Sequence, residues 1–421
     1  MVVFPWVVGL CMFALGTEWR NTGLFDTWNR LLHCEQTQDS WLPMSVALSH
    51  YDLYSDSGLY QDLFYDRHIK FQYPPTSLLF MYSVTIVSRG TRLPELTILN
   101  VLSWAAVLAT GWYSAAVAME VRRLRGIRLS FMNNCIHAAP LVLAAASFYP
   151  VVKAYSLGQL QTIINCMAAI LVLFILRGKS CYAGAIGGCL CLLKPQYVLL
   201  CLWACVRKER SFVLGMVMVA AMGIICSVLL FGLRDHIEYF RILSFIARHG
   251  EAYYPNQSIN GLMNRLLGNG ENLRFSPYTF PPFSAIVFGV TTGGSLCLIS
   301  VGFAVAIRAS KTVGGSLQSL CVCLIVMTMA SPVAWEHHYG VLLPIYAVLS
   351  AMPSCELSGA KKVALMFSYS LTSTFWSIVN RWSDPPVNMI QSYLLFGAMI
   401  LLAILCFDRM ELAAPVGRVD H

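Results

Sequence analysis

Residues 181–206 read CYAGAIGGCLCLLKPQYVLLCLWACV, an apolar run broken once, by Lys194-Pro195 at its centre. A run of this length is membrane-buried. Burying an ammonium in hydrocarbon costs kilocalories, and proline removes a helical N–H, so one straight helix is a poor reading. Basic residues flank both ends: Arg177 and Lys179 before, Arg207, Lys208 and Arg210 after. Basic loops collect on the cytoplasmic side. Two half-length helices forming a hairpin around Lys194 satisfy that rule, and a single span does not.

The whole chain agrees with a membrane reading. Of 421 residues, 57% are hydrophobic and 12% charged, against roughly 25% charged in a soluble domain. Mean hydropathy is +0.62. A soluble enzyme, a disordered hub and a disulfide scaffold are excluded by this balance. Nearly all of the 15 cysteines sit inside apolar runs and read as small hydrophobes, with only Cys34 in a clearly polar stretch. The net charge of +8 suits basic loops and anionic lipid. No basic patch with interleaved aromatics is present, so no nucleic-acid partner is expected.

Further apolar runs lie at about 74–88, 95–119, 131–152, 159–176, 211–232, 281–307, 316–330, 339–352, 363–380 and 388–407. Residues 1–17 read as a first transmembrane helix rather than a cleaved signal, because no basic segment precedes the apolar one. The expectation is an all-α polytopic protein of about 11–13 transmembrane helices in one domain, residues 1–421. Arg122/Arg123/Arg125/Arg128, Arg177/Lys179, Arg207/Lys208/Arg210, Arg308/Lys311, Lys361/Lys362 and Arg409 fall on the cytoplasmic side. The polar stretches 18–73 and 233–280 then lie outside. The first holds eight of the 21 acids: Glu18, Asp26, Glu35, Asp39, Asp52, Asp56, Asp62 and Asp66. One conflict stays open. Arg89 and Arg92 are separated from the Arg122 cluster by one run, so either 74–88 is not a full span or one basic loop lies outside.

Against so little charge, the polar exceptions stand out. Asp39 opens a segment in which Trp41, Met44 and Leu48 recur at helical spacing, as in an interfacial helix. It is either an N-cap or a general base. Gln72 and Tyr73 precede Pro74-Pro75 at a helix start and can reach a headgroup. Lys194 either snorkels from a hairpin tip or pairs with an anion. Asn256-Gln257-Ser258 leads to Arg265, and on a helix Ser258, Gly261 or Leu262, and Arg265 share a face. Glu336-His337-His338 lies between two short runs. Adjacent histidines point about 100° apart on a helix and do not pinch one metal, so zinc protease chemistry is not expected.

One acid, one guanidinium, one lysine and two histidines suit glycosyl transfer from a lipid phosphate. A carboxylate takes the acceptor proton, and cations stabilise the phosphate leaving group. No phosphate-binding glycine loop for a nucleotide is present. The ordered blocks carry a resemblance: Asp39 with Leu53-Tyr54, Phe71-Gln72-Tyr73-Pro74-Pro75, Leu157-Gly158-Gln159, Leu193-Lys194-Pro195, Asn256-Gln257-Ser258 to Arg265, and Ser331-Pro332-Val333-Ala334-Trp335-Glu336-His337-His338. In these the chain resembles the GT-C superfamily of polyprenyl-phosphate-dependent glycosyltransferases, and within it glycosyltransferase family 87, the group of the phosphatidylinositol-mannoside mannosyltransferases.

The resemblance implies a GT-C-like bundle and an inverting, metal-independent transfer without a cofactor. The donor is a polyprenyl-phosphate sugar and the acceptor a glycolipid or glycan, met on the outer face of the plasma (inner) membrane. Asp39 carries over as base and His337/His338 as contacts to the donor phosphate. Arg265 and Lys194 are assigned to that phosphate by charge, and Gln72, Tyr73, Asn256, Gln257, Ser258 and Glu336 to substrate binding. The family's outer-loop aspartate usually sits closer to the first helix, which makes Asp26 a rival base. Mannose follows by analogy, and a pentose stays open. A carrier of lipid-linked sugars is the alternative from another class. Polar groups at loops and helix ends speak against it, with Lys194 the exception.

Overall fold

The computed structural model describes residues 3–14, 23–53, 58–127, 131–352, 358–407, 410 and 412. In chain order its helices are α1 (Val3–Ala14), α2 (Gly23–Leu32), α3 (Trp41–Leu53), α4 (Leu78–Thr91), α5 (Glu95–Leu124), α6 (Phe131–Ser147), α7 (Tyr149–Ser156), α8 (Gln161–Leu176) and α9 (Ser180–Leu193). There follow α10 (Leu199–Arg207), α11 (Arg210–Phe231), α12 (Leu233–His249), α13 (Ile259–Leu266), α14 (Ala285–Arg308), α15 (Val313–Met329), α16 (Leu342–Ser350), α17 (Gly359–Ser373) and α18 (Tyr393–Phe407). Among the described residues the one β-contact is an isolated antiparallel bridge between Asn256 and Trp335. The protein is an all-α polytopic membrane protein.

Fewer runs are continuous spans than the hydropathy pattern suggests. Four helices are long and apolar enough to cross a membrane: Glu95–Leu124, Arg210–Phe231, Ala285–Arg308 and Val387–Phe407. The pair Ala138–Ser147 and Tyr149–Ser156 is bent by 52° and makes a fifth if it counts as one span. The remaining apolar runs of the expected 11–13 helices form shorter or bent helices, with breaks chiefly where the chain bends toward polar residues. Helix α15 is the centre of the bundle, buried along its whole length from Gly314 to Met329. By contrast, α11 and α14 bury few of their residues inside the protein, as lipid-facing helices do.

The hairpin around Lys194 is present, and glycines show its direction. Two helices in hydrocarbon gain little from hydrophobicity and pack through small residues. A Cβ at Gly184 would lie 2.0 Å from the Phe212 carbonyl oxygen, and one at Gly215 would lie 2.1 Å from that of Cys181. Further along, a Cβ at Gly223 would strike Leu192 at 2.3 Å. Partner numbers rise together, so α9 and α11 run parallel. The intervening α10 must return, which puts Lys194 at the turn and both basic flanks at one end. Arg207 there donates to the carbonyls of Ala306, Ala309 and Ser310, and Lys311 donates to the Arg207 carbonyl. Glu120 joins Arg123 and Arg177 at the same end. Arg128 and Arg409 lie outside the described residues.

The run 74–88 is not a span. At its start, Thr76 donates to the Leu192 carbonyl, beside the Lys194 turn. Towards its end, Thr85 donates to Glu95 at the opening of α5. With 14 residues α4 is about 21 Å long, short of the ~30 Å hydrocarbon core. Both of its ends belong to the end of the bundle opposite the basic clusters, so Arg89 and Arg92 lie there too.

That opposite end is built from the two polar stretches. Helix α12 buries Asp235, Tyr239, Ile242 and Ile246, one face at helical spacing, while Phe240 stays exposed. Asp235 accepts from the Tyr51 hydroxyl at 2.7 Å and the Leu59 N–H at 3.0 Å, which joins the two stretches. A second tie is the buried Lys70–Glu251 ion pair at 2.9 Å, with the Lys70 ammonium 4.1 Å from the Phe280 ring centre.

Candidate active site

Asp39 is held in place by the turn between α7 and α8. The N–H groups of Thr37, Asp39 and Ser40 donate to the carbonyls of Ser156, Leu157 and Gly158. So close an approach requires glycine. Gly158 has φ +63°, and a Cβ there would sit 1.9 Å from the Thr37 carbonyl oxygen. The next residue, Gln159, donates its amide N–H to the Asp39 carboxylate. Its Oε1 accepts from the hydroxyls of Ser40 at 2.7 Å and Tyr73 at 3.0 Å. An ionised carboxylate can only accept, so the amide N–H faces Asp39 and Oε1 is left to the two hydroxyls.

The stripe read from the sequence is real. Trp41, Met44 and Ala47 on α3 are buried, with Leu48 half-buried. Asp39 itself is exposed along one edge but crowded by protein on its other sides. That crowding raises its pKa above the ordinary aspartate value, opposed by the Gln159 N–H and the charge of Lys153. Among the described residues, Gln159 is the one donor to its carboxylate, which is not how an N-cap behaves. The rival Asp26 falls on α2, and its side chain lies outside the described residues.

Lys194 turns inward from the hairpin. Its ammonium donates to Gln161 Oε1 at 2.8 Å and to His338 Nε2 at 2.7 Å. Gln161 in turn donates to Asn165 Oδ1 at 2.9 Å. Accepting at Nε2 requires His338 to carry its proton on Nδ1. The rings of His337 and His338 stand at 89° with centroids 4.8 Å apart. Burial pulls both imidazoles well below their usual pKa, and the Lys194 charge adds to this. They are therefore neutral. His337 Nε2, His338 Nδ1, Asn165 Nδ2 and Thr162 Oγ1 are buried polar atoms without a hydrogen-bond partner, a rare condition in a folded protein.

The second outer segment is placed differently from its sequence reading. Arg265 is fully buried, and its Nη1 is within hydrogen-bond reach of the carbonyls of Ala252, Tyr253, Tyr254 and Asn256, while Nη2 donates to Ser392 Oγ at 2.6 Å. Irregular backbone here leaves the carbonyls of Ala252 and Asn256 without a backbone donor, and the guanidinium supplies one. Asn256, Gln257 and Ser258 are likewise fully buried. Asn256 bonds to Glu251, Pro332 and Ala334, and Ser258 to Pro332 and Gly261. Gln257 donates to Tyr254 and Gln391 and accepts from the Leu394 N–H. Asn256, Gln257 and Ser258 clasp the 331–338 segment while Arg265 braces residues 252–256, so a hydroxyl and a guanidinium are not presented together. Glu336 is buried and accepts from the phenols of Tyr149 at 2.9 Å and Tyr393 at 3.0 Å. Burial raises its pKa, opposed chiefly by Lys153. Gln72 is half-buried, its carbonyl accepting from Tyr239.

Sequence reading missed Lys153. It lies on α7, half-buried, and its charge acts on Asp39, Glu336 and His337. Its position at the end of an apolar run made it resemble an ordinary interfacial lysine. Gln161 and Asn165 were also missed, although polar residues at i and i+4 inside an apolar helix are a readable signal.

The model of glycosyltransferase family 87 matches residues 71–332. That span takes in Tyr73, Gln159, Lys194 and Arg265, and leaves Asp39 and Glu336-His337-His338 beyond its ends. Comparison with curated proteins finds no match. With more than half of its length covered, the chain belongs to glycosyltransferase family 87.

Proposed function

We propose that the protein transfers a sugar, with mannose favoured, from a polyprenyl-phosphate donor to a glycolipid or glycan acceptor, with inversion and without a metal or cofactor. Asp39 is the general base. The observation that carries this reading is the pairing of an exposed carboxylate, fixed by Gln159, with Lys194 and two neutral histidines on neighbouring segments. The acceptor hydroxyl gives its proton to Asp39 and its oxygen attacks the sugar C1. The C1–O bond to the phosphodiester breaks, and the electron pair leaves with the phosphate. A single base suffices because the phosphate needs cations and donors rather than a general acid.

Lys194, His337 and His338 are the donor-phosphate contacts in this reading, with Gln72 and Tyr73 at the substrate. Arg265, Asn256, Gln257, Ser258 and Glu336 act one layer back, shaping the outer segment. The basic clusters lie at the opposite end from Asp39, which supports a site facing outward from a plasma (inner) membrane. The test is turnover by purified protein in lipid nanodiscs, given polyprenyl-phosphate mannose or a pentose analogue and a membrane glycolipid extract. Sugar transfer by wild type and its loss in Asp39→Asn is the expected result. No transfer from any polyprenyl-phosphate sugar would overturn the reading in favour of a carrier.

A further inference from the structure

The middle of α7 holds a cation that the site's other bonds leave free. Tyr149, Lys153 and Leu157 are spaced four apart and share one helix face. At one end of that face Tyr149 donates to Glu336. At the other, the Leu157 carbonyl accepts the N–H of Asp39 at 2.9 Å. With a rise of about 1.5 Å per residue, Lys153 Cα stands ~6 Å from each anchor. It is the one charged residue of α7, whose other residues are buried. Among the described residues its ammonium has no hydrogen bond or ion pair. Lys194 gives two of its three N–H groups to Gln161 and His338, and Arg265 is held by backbone carbonyls and Ser392.

We propose that Lys153 is a further catalytic residue, whose ammonium contacts the donor's phosphate on the side facing Asp39 and takes up the charge that develops as the phosphate leaves. This rests on the polyprenyl-phosphate reading above. The diester carries one negative charge, and the departing monoester gains a second as the C1–O electron pair moves onto oxygen. The acceptor proton goes to Asp39. A free ammonium with three N–H donors between the base and the histidines meets that new charge. Its contribution is therefore larger in the transition state and in the product complex than in the bound donor.

Lys153→Met, Lys153→Gln and Lys153→Arg in the full-length protein in nanodiscs test this, read by kcat, donor KM and inhibition by polyprenyl phosphate. Lys153→Met and Lys153→Gln should lower kcat about 100-fold and weaken polyprenyl-phosphate inhibition at least about tenfold, while donor KM moves by less than about threefold. Lys153→Arg should keep most of both. Direct binding of polyprenyl phosphate, measured without turnover, gives the same comparison even if wild type transfers no sugar under the conditions used. Equal product binding by wild type and both neutral variants overturns the proposal. So does an unchanged plateau kcat with only a shifted acid limb, since that would mean Lys153 acts on Asp39 through its field alone. Two neutral variants guard against one failing to fold.

Discussion

Gln159 and Asp39 lie 120 residues apart in the chain, and the amide N–H of one is given to the carboxylate of the other. Ser40 and Tyr73 hold the far end of the same amide. The glutamine thus orients the carboxylate and also favours its charged form. Gln159→Leu should lower kcat about 10- to 100-fold through misplacement of the base. It should also move the acid limb of the rate profile to higher pH, because a donor to the carboxylate is lost. A drop in kcat with an unmoved limb would show that Gln159 acts elsewhere.

Asp39 is raised above the ordinary aspartate pKa of about 3.9. A base works only when deprotonated, so kcat/KM should rise with pH through a midpoint above that value and then level off. Asp39→Asn should cost about 10²–10⁴ in kcat at the plateau, with the fold intact by thermal unfolding. Asp26→Asn, tested beside it, should leave transfer within about threefold of wild type. The reverse pattern would move the base to α2.

Arg265 separates a structural from a phosphate-binding role. Arg265→Ala leaves the buried Ala252 and Asn256 carbonyls without that donor and removes the bond to Ser392, and the expected loss is about 2–5 kcal/mol of stability, seen as a marked fall in unfolding temperature. Arg265→Lys, with three donors in place of a planar fork, should recover only part. Folded Arg265→Lys protein should keep the wild-type donor KM. A large rise in that KM at unchanged stability would restore Arg265 to the phosphate.

The glycine seam makes a stability prediction at two positions. Gly184→Ala forces a methyl carbon to within 2.0 Å of the Phe212 carbonyl oxygen and should destabilise by about 1–3 kcal/mol. At Gly90 on α4, by contrast, nothing lies within 4 Å of an added Cβ, and Gly90→Ala should be neutral or stabilising by up to about 1 kcal/mol. Detergent unfolding of the two variants side by side measures the difference.

The sequence was most informative where it broke its own pattern. Lys194-Pro195 violates an apolar run, and the chain turns there. Asp39 heads an amphipathic stripe, and Trp41 and Met44 bury that stripe. Charges inside polar loops were less legible. Arg265 reads as an outward-facing cation because nothing in the sequence tells which backbone carbonyls will lack partners. Asn256, Gln257 and Ser258 suffer the same ambiguity, since amides that bind ligands and amides that bind backbone have one composition. Lys153 was hidden by location, as its meaning depends on Asp39 and Glu336, which reach it only through the fold.

The parallel packing of α9 on α11 makes helix length a depth gauge. Fourteen residues separate the basic end from Lys194, about 21 Å of rise against a hydrocarbon core of ~30 Å. The ammonium is therefore delivered from below to a plane well beneath the opposite surface, the depth to which the proposed lipid-anchored donor phosphate would descend. Each residue added to or removed from α9 would shift that plane by about 1.5 Å, so the dimension that sets where in the bilayer chemistry occurs is written in the count of residues between Lys179 and Lys194.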